Sequence, residues 1–66
     1  MFYNIFTTKE NNKTVLFSLM NSLGFNMSVK YNDNEKITVE VKDELNETFN
    51  NVINNLKDSN KILNII

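Results

Sequence analysis

The chain has 66 residues, of which 41% are hydrophobic, and its seven basic and eight acidic residues leave a net charge of −1. It contains no His, Cys, Trp or Pro. A chain of this length forms one domain, residues 1–66, which buries only about 60% of the surface that its unfolded chain exposes. We therefore expect a thin stability margin, with self-association as one means of raising it.

The residue types that are missing exclude most catalytic and ligand chemistry. Without His or Cys, the common general bases, nucleophiles and thiolate ligands are absent, so we expect no enzyme activity, no cofactor and no metal. The near-zero charge and the absence of Arg argue against nucleic-acid binding. No apolar run could span a membrane and no signal-peptide pattern is present, so we expect a cytoplasmic protein.

Asn occupies 14 of the 66 positions, every basic residue is Lys, and Ala, Arg and Gln are absent. Average proteins use Ala and Gly heavily. Because the codons of Asn, Lys and Ile are AT-rich, this bias indicates an AT-rich genome, such as that of a bacterium, its phage or its plasmid.

The first quarter of the chain predicts a strand followed by a helix. Apart from Asn4, residues 2–7 are aromatic or β-branched, which favours a strand. Thr7 and Glu10 have the spacing of a capping box, so a helix should begin near Lys9.

The first helix carries an apolar stripe with Met20 at its margin and Phe17 well off it. The residues of the stripe are Val15, Leu16, Leu19 and Leu23. Gly24, the single glycine, stands where a left-handed residue would end the helix in a Schellman motif.

Two alternating segments then predict two strands, each with one buried face. The residues expected on the buried faces are Phe25, Met27, Val29 and Tyr31 in the first and Ile37, Val39 and Val41 in the second. Between them, residues 32–35 have turn chemistry, which predicts a hairpin. The same acidic and amide side chains could collect a calcium ion, although a solvated turn is favoured because the EF-hand pattern is missing.

Asp43 and Glu44 should precede a second helix, because their charge complements the helix dipole. Its predicted apolar stripe comprises Leu45, Phe49, Val52, Ile53 and Leu56, and its opposite, Asn-rich face is expected to be solvated. A last apolar run, residues 61–66, is too short for a helix and predicts a fourth strand.

The element order β-α-β-β-α-β predicts an α+β fold, a ferredoxin-like plait with a four-stranded antiparallel sheet of order 4-1-3-2 and two helices on one face. The alternative is a three-stranded sheet in which the last run only packs on the second helix.

In this plait the first strand is central and apolar on both faces. If Phe2 and Phe6 point outward, they lie beside Thr38 and Glu40 on the neighbouring strand; if Tyr3 points outward, it offers a ring with a polar tip. Exposed aromatic side chains on a sheet mark a contact surface, unless another part of the chain folds over them.

Two further contacts are possible. Phe17 could meet a partner or pack at the edge of the core onto Phe25 or Tyr31. The sheet edges could join a second copy, against which Lys30 and Lys61 could serve as protection.

We therefore expect a small non-enzymatic module that binds another protein and forms a homodimer, with partner contacts at Phe2, Tyr3, Phe6, Phe17, Thr38 and Glu40. Its size and composition suggest a stand-alone accessory or inhibitor protein of a phage or mobile element that acts on a host defence complex. The alternatives are a regulatory module that senses a small molecule at a dimer interface and, less favoured, a single-stranded nucleic-acid binder.

Overall fold

Strands and helices follow one another in the order β-α-β-β-α-β, as the hydrophobic pattern predicts. The computed structural model describes residues 1–66. The elements are β1 (Phe2–Phe6), α1 (Lys9–Leu23), β2 (Met27–Asn32), β3 (Lys36–Val41), α2 (Asn46–Asp58) and β4 (Asn64–Ile65), with short 3-10 turns at Gly24–Asn26 and Asp43–Leu45. The α+β class, the four-stranded antiparallel sheet and the two helices are confirmed.

The sheet has the order β2-β3-β1-β4, which is 4-1-3-2 when it is read from β4. All three neighbouring pairs are antiparallel. The sheet is irregular at both edges, because β4 has only two residues and the pairing of β2 with β3 shifts register between Val29 and Tyr31. The three-stranded alternative is wrong, since Ile65 pairs with Ile5 on β1.

One cluster of twelve buried apolar residues forms the core, and both helices contribute to it on the same face of the sheet. The helices supply Val15, Leu19, Leu23, Phe49, Ile53 and Leu56; the strands and the segment before β4 supply Ile5, Met27, Ile37, Val39, Val41 and Ile62. Leu16, Leu45 and Val52 pack partly buried against this cluster. The two predicted helical stripes are therefore confirmed.

The capping box predicted at the start of α1 does not form. The N-cap residue is Thr8 rather than Thr7, and no side chain caps the helix. Thr7 instead continues the pairing of β1, because its N–H donates to the Glu35 carbonyl at 2.9 Å. Its buried hydroxyl accepts a hydrogen bond from Asn12 Nδ2 at 3.2 Å, while the buried hydroxyl of Thr8 has no partner.

The end of α1 requires glycine, as predicted, although the Schellman motif is replaced by a 3-10 turn. Gly24 has φ +54° and ψ −128°, and its N–H donates to the Met20 carbonyl. The chain then turns through Gly24–Asn26 before β2 begins at Met27. Phe25 therefore lies in the turn, fully exposed, and not on the buried face of a strand.

The predicted buried face of β2 is also wrong beyond Met27. Val29 pairs with Val39 on the helix side but lies at the sheet edge, 42% exposed. The register shift then pairs Tyr31 with Thr38, which carries the tyrosine to the opposite face.

The predicted hairpin turn between β2 and β3 is confirmed. Asn34 adopts φ +78° at its tip. The Asp33 carboxylate accepts hydrogen bonds from the backbone N–H groups of Glu35 and Lys36, at 3.1 and 2.8 Å. A second Asn with positive φ, Asn60 at +59°, lies in the loop after α2.

Candidate functional site

The face of the sheet away from the helices is the surface on which the predicted contact residues meet, and we call it the open face. Phe2 pairs with Glu40, Asn4 with Thr38 and Phe6 with Lys36. Because residues paired across an antiparallel sheet point to the same side, these side chains share a face. It is the face opposite Ile5 and Ile37, which lie in the core. The outward pair of β1 is therefore Phe2 and Phe6.

Tyr3 does not belong to this surface, so the alternative in which it points outward is wrong. It pairs with Val39 on the helix side, and its ring stacks on the buried Phe49 with centroids 4.3 Å apart. Its hydroxyl donates to Asn46 Oδ1 at 3.0 Å. This half-buried tyrosine fixes α2 against β1.

The apolar part of the open face is formed by β1 and the end of the chain. Phe2 is 64% exposed and Ile66 is 71% exposed, whereas Phe6 is half-buried. Asn4 and Ile66 exchange two backbone hydrogen bonds, of 2.8 and 2.9 Å, so Ile66 stands directly opposite Asn4. This position makes Ile66 a diagonal neighbour of both Phe2 and Phe6, at the 7–8 Å spacing typical of such pairs.

The polar side chains of the open face are largely paired with each other. Thr38 Oγ1 donates to Asn4 Oδ1 at 2.7 Å. Lys30 and Glu40 form an exposed ion pair at 3.6 Å, and Lys36 Nζ lies 5.2 Å from the centre of the Tyr31 ring. The open face is thus an apolar strip beside polar groups, and Lys36 is its one charged side chain without an ion-pair partner.

Phe17 lies apart from the open face. It is exposed on α1 and not on the buried stripe. Phe25 is fully exposed and Tyr31 lies on the open face, so the predicted alternative of packing onto either ring is wrong. Of the six predicted contact residues, the structure brings four together: Phe2, Phe6, Thr38 and Glu40.

A second apolar surface, missed by the sequence reasoning, lies between the end of α1 and the edge strand β2. We call it the α1–β2 groove; its volume is about 420 Å³, and it is lined by Met20, Gly24, Phe25, Met27, Ser28 and Val29. The available signal was Phe25, an apolar residue directly after the only glycine. The hydrophobic alternation placed it in a strand instead.

The chemistry of the remaining surface is limited. In the turn, the hydrogen bond from the Glu35 backbone lowers the pKa of Asp33, with further help from the Tyr31 hydroxyl at 2.9 Å. The same hydrogen bond to Asp33 raises the pKa of Tyr31. The Asp33 oxygens are thus engaged within the turn, and no group of three or more His, Cys, Asp or Glu side chains is arranged to hold a metal ion.

Comparison of the chain with protein-family models, with curated proteins and with solved structures finds no match. None of the helices combines the length and the apolar character needed to cross a membrane. The fold and the surfaces therefore define a class only, a small α+β protein with apolar groups exposed on its sheet.

Proposed function

We propose that the protein is a small non-enzymatic binding module of ferredoxin-like topology that recognises another protein through its open face. The observation that carries this proposal is the strip formed by Phe2, Phe6 and Ile66, which exposes two large apolar side chains on a sheet with no helix over it. Aromatic anchors surrounded by polar groups are the usual centre of a protein interface.

The low net charge of the open face favours a protein partner. Glu40 is paired with Lys30, which leaves Lys36, over the Tyr31 ring, as the single unpaired positive charge of the face. Since phosphate contacts dominate the affinity for nucleic acids, a strip of this kind suits an apolar protein surface better.

The composition extends the proposal to the setting. The residue bias expected of an AT-rich gene fits an accessory protein of a phage or mobile element. We propose that the partner belongs to the protein complexes of an AT-rich host, with inhibition of a defence complex as the specific hypothesis.

The test is an affinity capture from the lysate of an AT-rich host with three proteins. The wild type and an Asn54→Asp control, which adds a negative charge on the exposed side of α2, should retain the same partner in near-equal molar amount. Phe2→Asp, which adds the same charge to the open face, should lose it. Equal recovery by all three proteins would contradict the proposal, as would a metabolite that raises the Tm in the absence of any protein partner.

A further inference from the structure

The outer edge of β2 is an unpaired sheet edge that runs alongside the α1–β2 groove. β2 is the last strand on its side of the sheet. The Lys42 N–H donates to the Asn26 carbonyl at 3.0 Å, and hydrogen-bonded pairs alternate along an antiparallel ladder. Ser28 is therefore the next residue whose backbone faces β3, while the backbone of Val29 faces the free edge.

Val29 connects this edge with the groove. Its side chain lines the groove together with Met20, Phe25 and Met27, so a strand added at the edge would place alternate side chains over these apolar groups. Strand addition at an edge beside a pocket is an established way to combine backbone hydrogen bonds with side-chain selection.

We propose that the occupant of this edge and groove is a second copy of the chain, paired β2 to β2 in antiparallel register about Ser28. In that register the Val29 N–H of each copy donates to the Met27 carbonyl of the other. The Met27 N–H is not needed, because it already donates to the Gly24 carbonyl. The result is a continuous eight-stranded sheet with all four helices on one face.

The side chains of β2 suit this self-pairing. Met27 of one copy stands opposite Val29 of the other, so apolar groups meet over the groove. Ser28, a small residue, meets its own copy at the two-fold axis. The paired segment is Met27 to Val29, because Asn26 lies in the 3-10 turn and the register of β2 shifts after Val29, so no charged residues are directly opposed. In a two-fold dimer every contact occurs twice, so the favourable pairing of Met27 with Val29 is repeated on the other side of the axis.

The area available fits a weak dimer. Phe25 is 101% exposed and contributes on the order of 200 Å². With the half-exposed Met20 and Val29 and the strand edge, each copy hides roughly 450 Å². Two copies therefore hide about 900 Å², which is below the roughly 1,200 Å² of stable interfaces and in the range of weak, transient ones. Phe17, three residues before Met20 on the surface of α1, can add to the contact across the two-fold axis. We therefore expect a dissociation constant in the micromolar range.

The first test measures mass by sedimentation equilibrium from about 5 to 500 µM, a range that brackets micromolar affinity. The wild type should approach twice the 7.7 kDa of one chain. Phe25→Asp should halve the mass and keep the circular dichroism spectrum, because the exposed ring contributes nothing to the core. Phe2→Asp, the matched control on the open face, should stay dimeric.

The second test follows the Val29 amide by hydrogen exchange with NMR detection. Its exchange should slow at least tenfold between the monomeric and dimeric concentrations, and the slowing should vanish in Phe25→Asp. A wild type that stays monomeric, a Val29 amide whose exchange does not change, or a dimer that Phe2→Asp and not Phe25→Asp dissociates would overturn the proposal. Loss of partner capture in Phe2→Asp concerns the open face alone, so the failure of one proposal is distinguishable from that of the other.

Discussion

Replacing Gly24 by alanine separates the cost of backbone conformation from the cost of crowding. Gly24 has φ +54° and ψ −128°, and a Cβ placed there would find nothing within 4 Å. The whole penalty of L-alanine is therefore conformational, about 1–3 kcal/mol for a backbone region that L-residues rarely adopt. The restriction of the unfolded chain offsets about 0.4–1 kcal/mol of it, so we expect a net loss of roughly 1–2 kcal/mol.

In a domain of this size, each loss of about 1 kcal/mol corresponds to a decrease in Tm of about 4–8 °C. The matched control is D-alanine at position 24, which chemical synthesis can introduce into so short a chain. The mirror-image residue adopts φ +54° without strain and restricts the unfolded chain, so it should raise the stability by about 0.4–1 kcal/mol. Thermal and urea unfolding of the three proteins measure both effects. Equal losses from the two alanines would refute the reasoning, because the loss would then not depend on the handedness of the residue.

Three more predictions concern the core, the start of α1 and the hairpin turn. Phe49→Ala removes a fully buried ring and should lower the free energy of unfolding by about 3–5 kcal/mol. This is much of the roughly 3–10 kcal/mol expected for a domain of this length, so circular dichroism should show a largely unfolded chain. A cooperative transition near the wild-type Tm would contradict the assigned core. Thr8→Val removes a buried hydroxyl that has no partner and caps nothing, so it should raise the free energy of unfolding by about 1 kcal/mol; a loss in the urea midpoint would show that the hydroxyl is bonded. Because the pKa of Asp33 in the folded protein lies below its ordinary value of 3.8, its contribution to stability should be complete above that value and be lost as the pH falls through the folded pKa. Asp33→Asn should therefore flatten the acid limb of stability against pH, and an unchanged limb would contradict this. The raised pKa of Tyr31 has the opposite effect. Its contribution to stability should be complete below pH 10 and be lost as the pH rises through the folded pKa, and Tyr31→Phe should abolish this alkaline dependence.

The periodic parts of the sequence predicted the fold well. Val15, Leu19 and Leu23 recur at helical spacing, and Ile37, Val39 and Val41 alternate; all six are buried. The positions of the apolar residues alone specify a core of this kind, because the hydrophobic effect is non-directional and requires only that these side chains lie on one face of their helix or strand.

The errors arose where the backbone departs from a regular repeat. The register shift after Val29 moves Tyr31 to the other face, and a bulge has no signature in the alternation itself. Thr7 and Thr8 both suit an N-cap, and the choice between them depended on the hydrogen bond of Thr7 to Glu35, a residue distant in sequence.

The contact surface could be predicted only in part. The alternation of β1 showed that an aromatic face would be exposed, but which face depended on the helices, and the stacking of Tyr3 on Phe49 decides it. Phe25 was misplaced because the 3-10 turn after Gly24 delays the strand to Met27. The turn begins at Gly24, whose ψ of −128° cannot be predicted from the hydrophobic alternation.

The three residues with positive φ show how an Asn-rich chain manages the handedness of its backbone. Asn34 and Asn60 adopt φ +78° and +59°, a region that Asn tolerates better than most L-residues. At Gly24 the positive φ is joined to ψ −128°, outside the left-handed helical region that Asn can enter. A coding bias toward Asn is therefore compatible with this fold at two of its three positions with positive φ. Gly24 is the third, and it is the one position where the backbone requires an achiral residue.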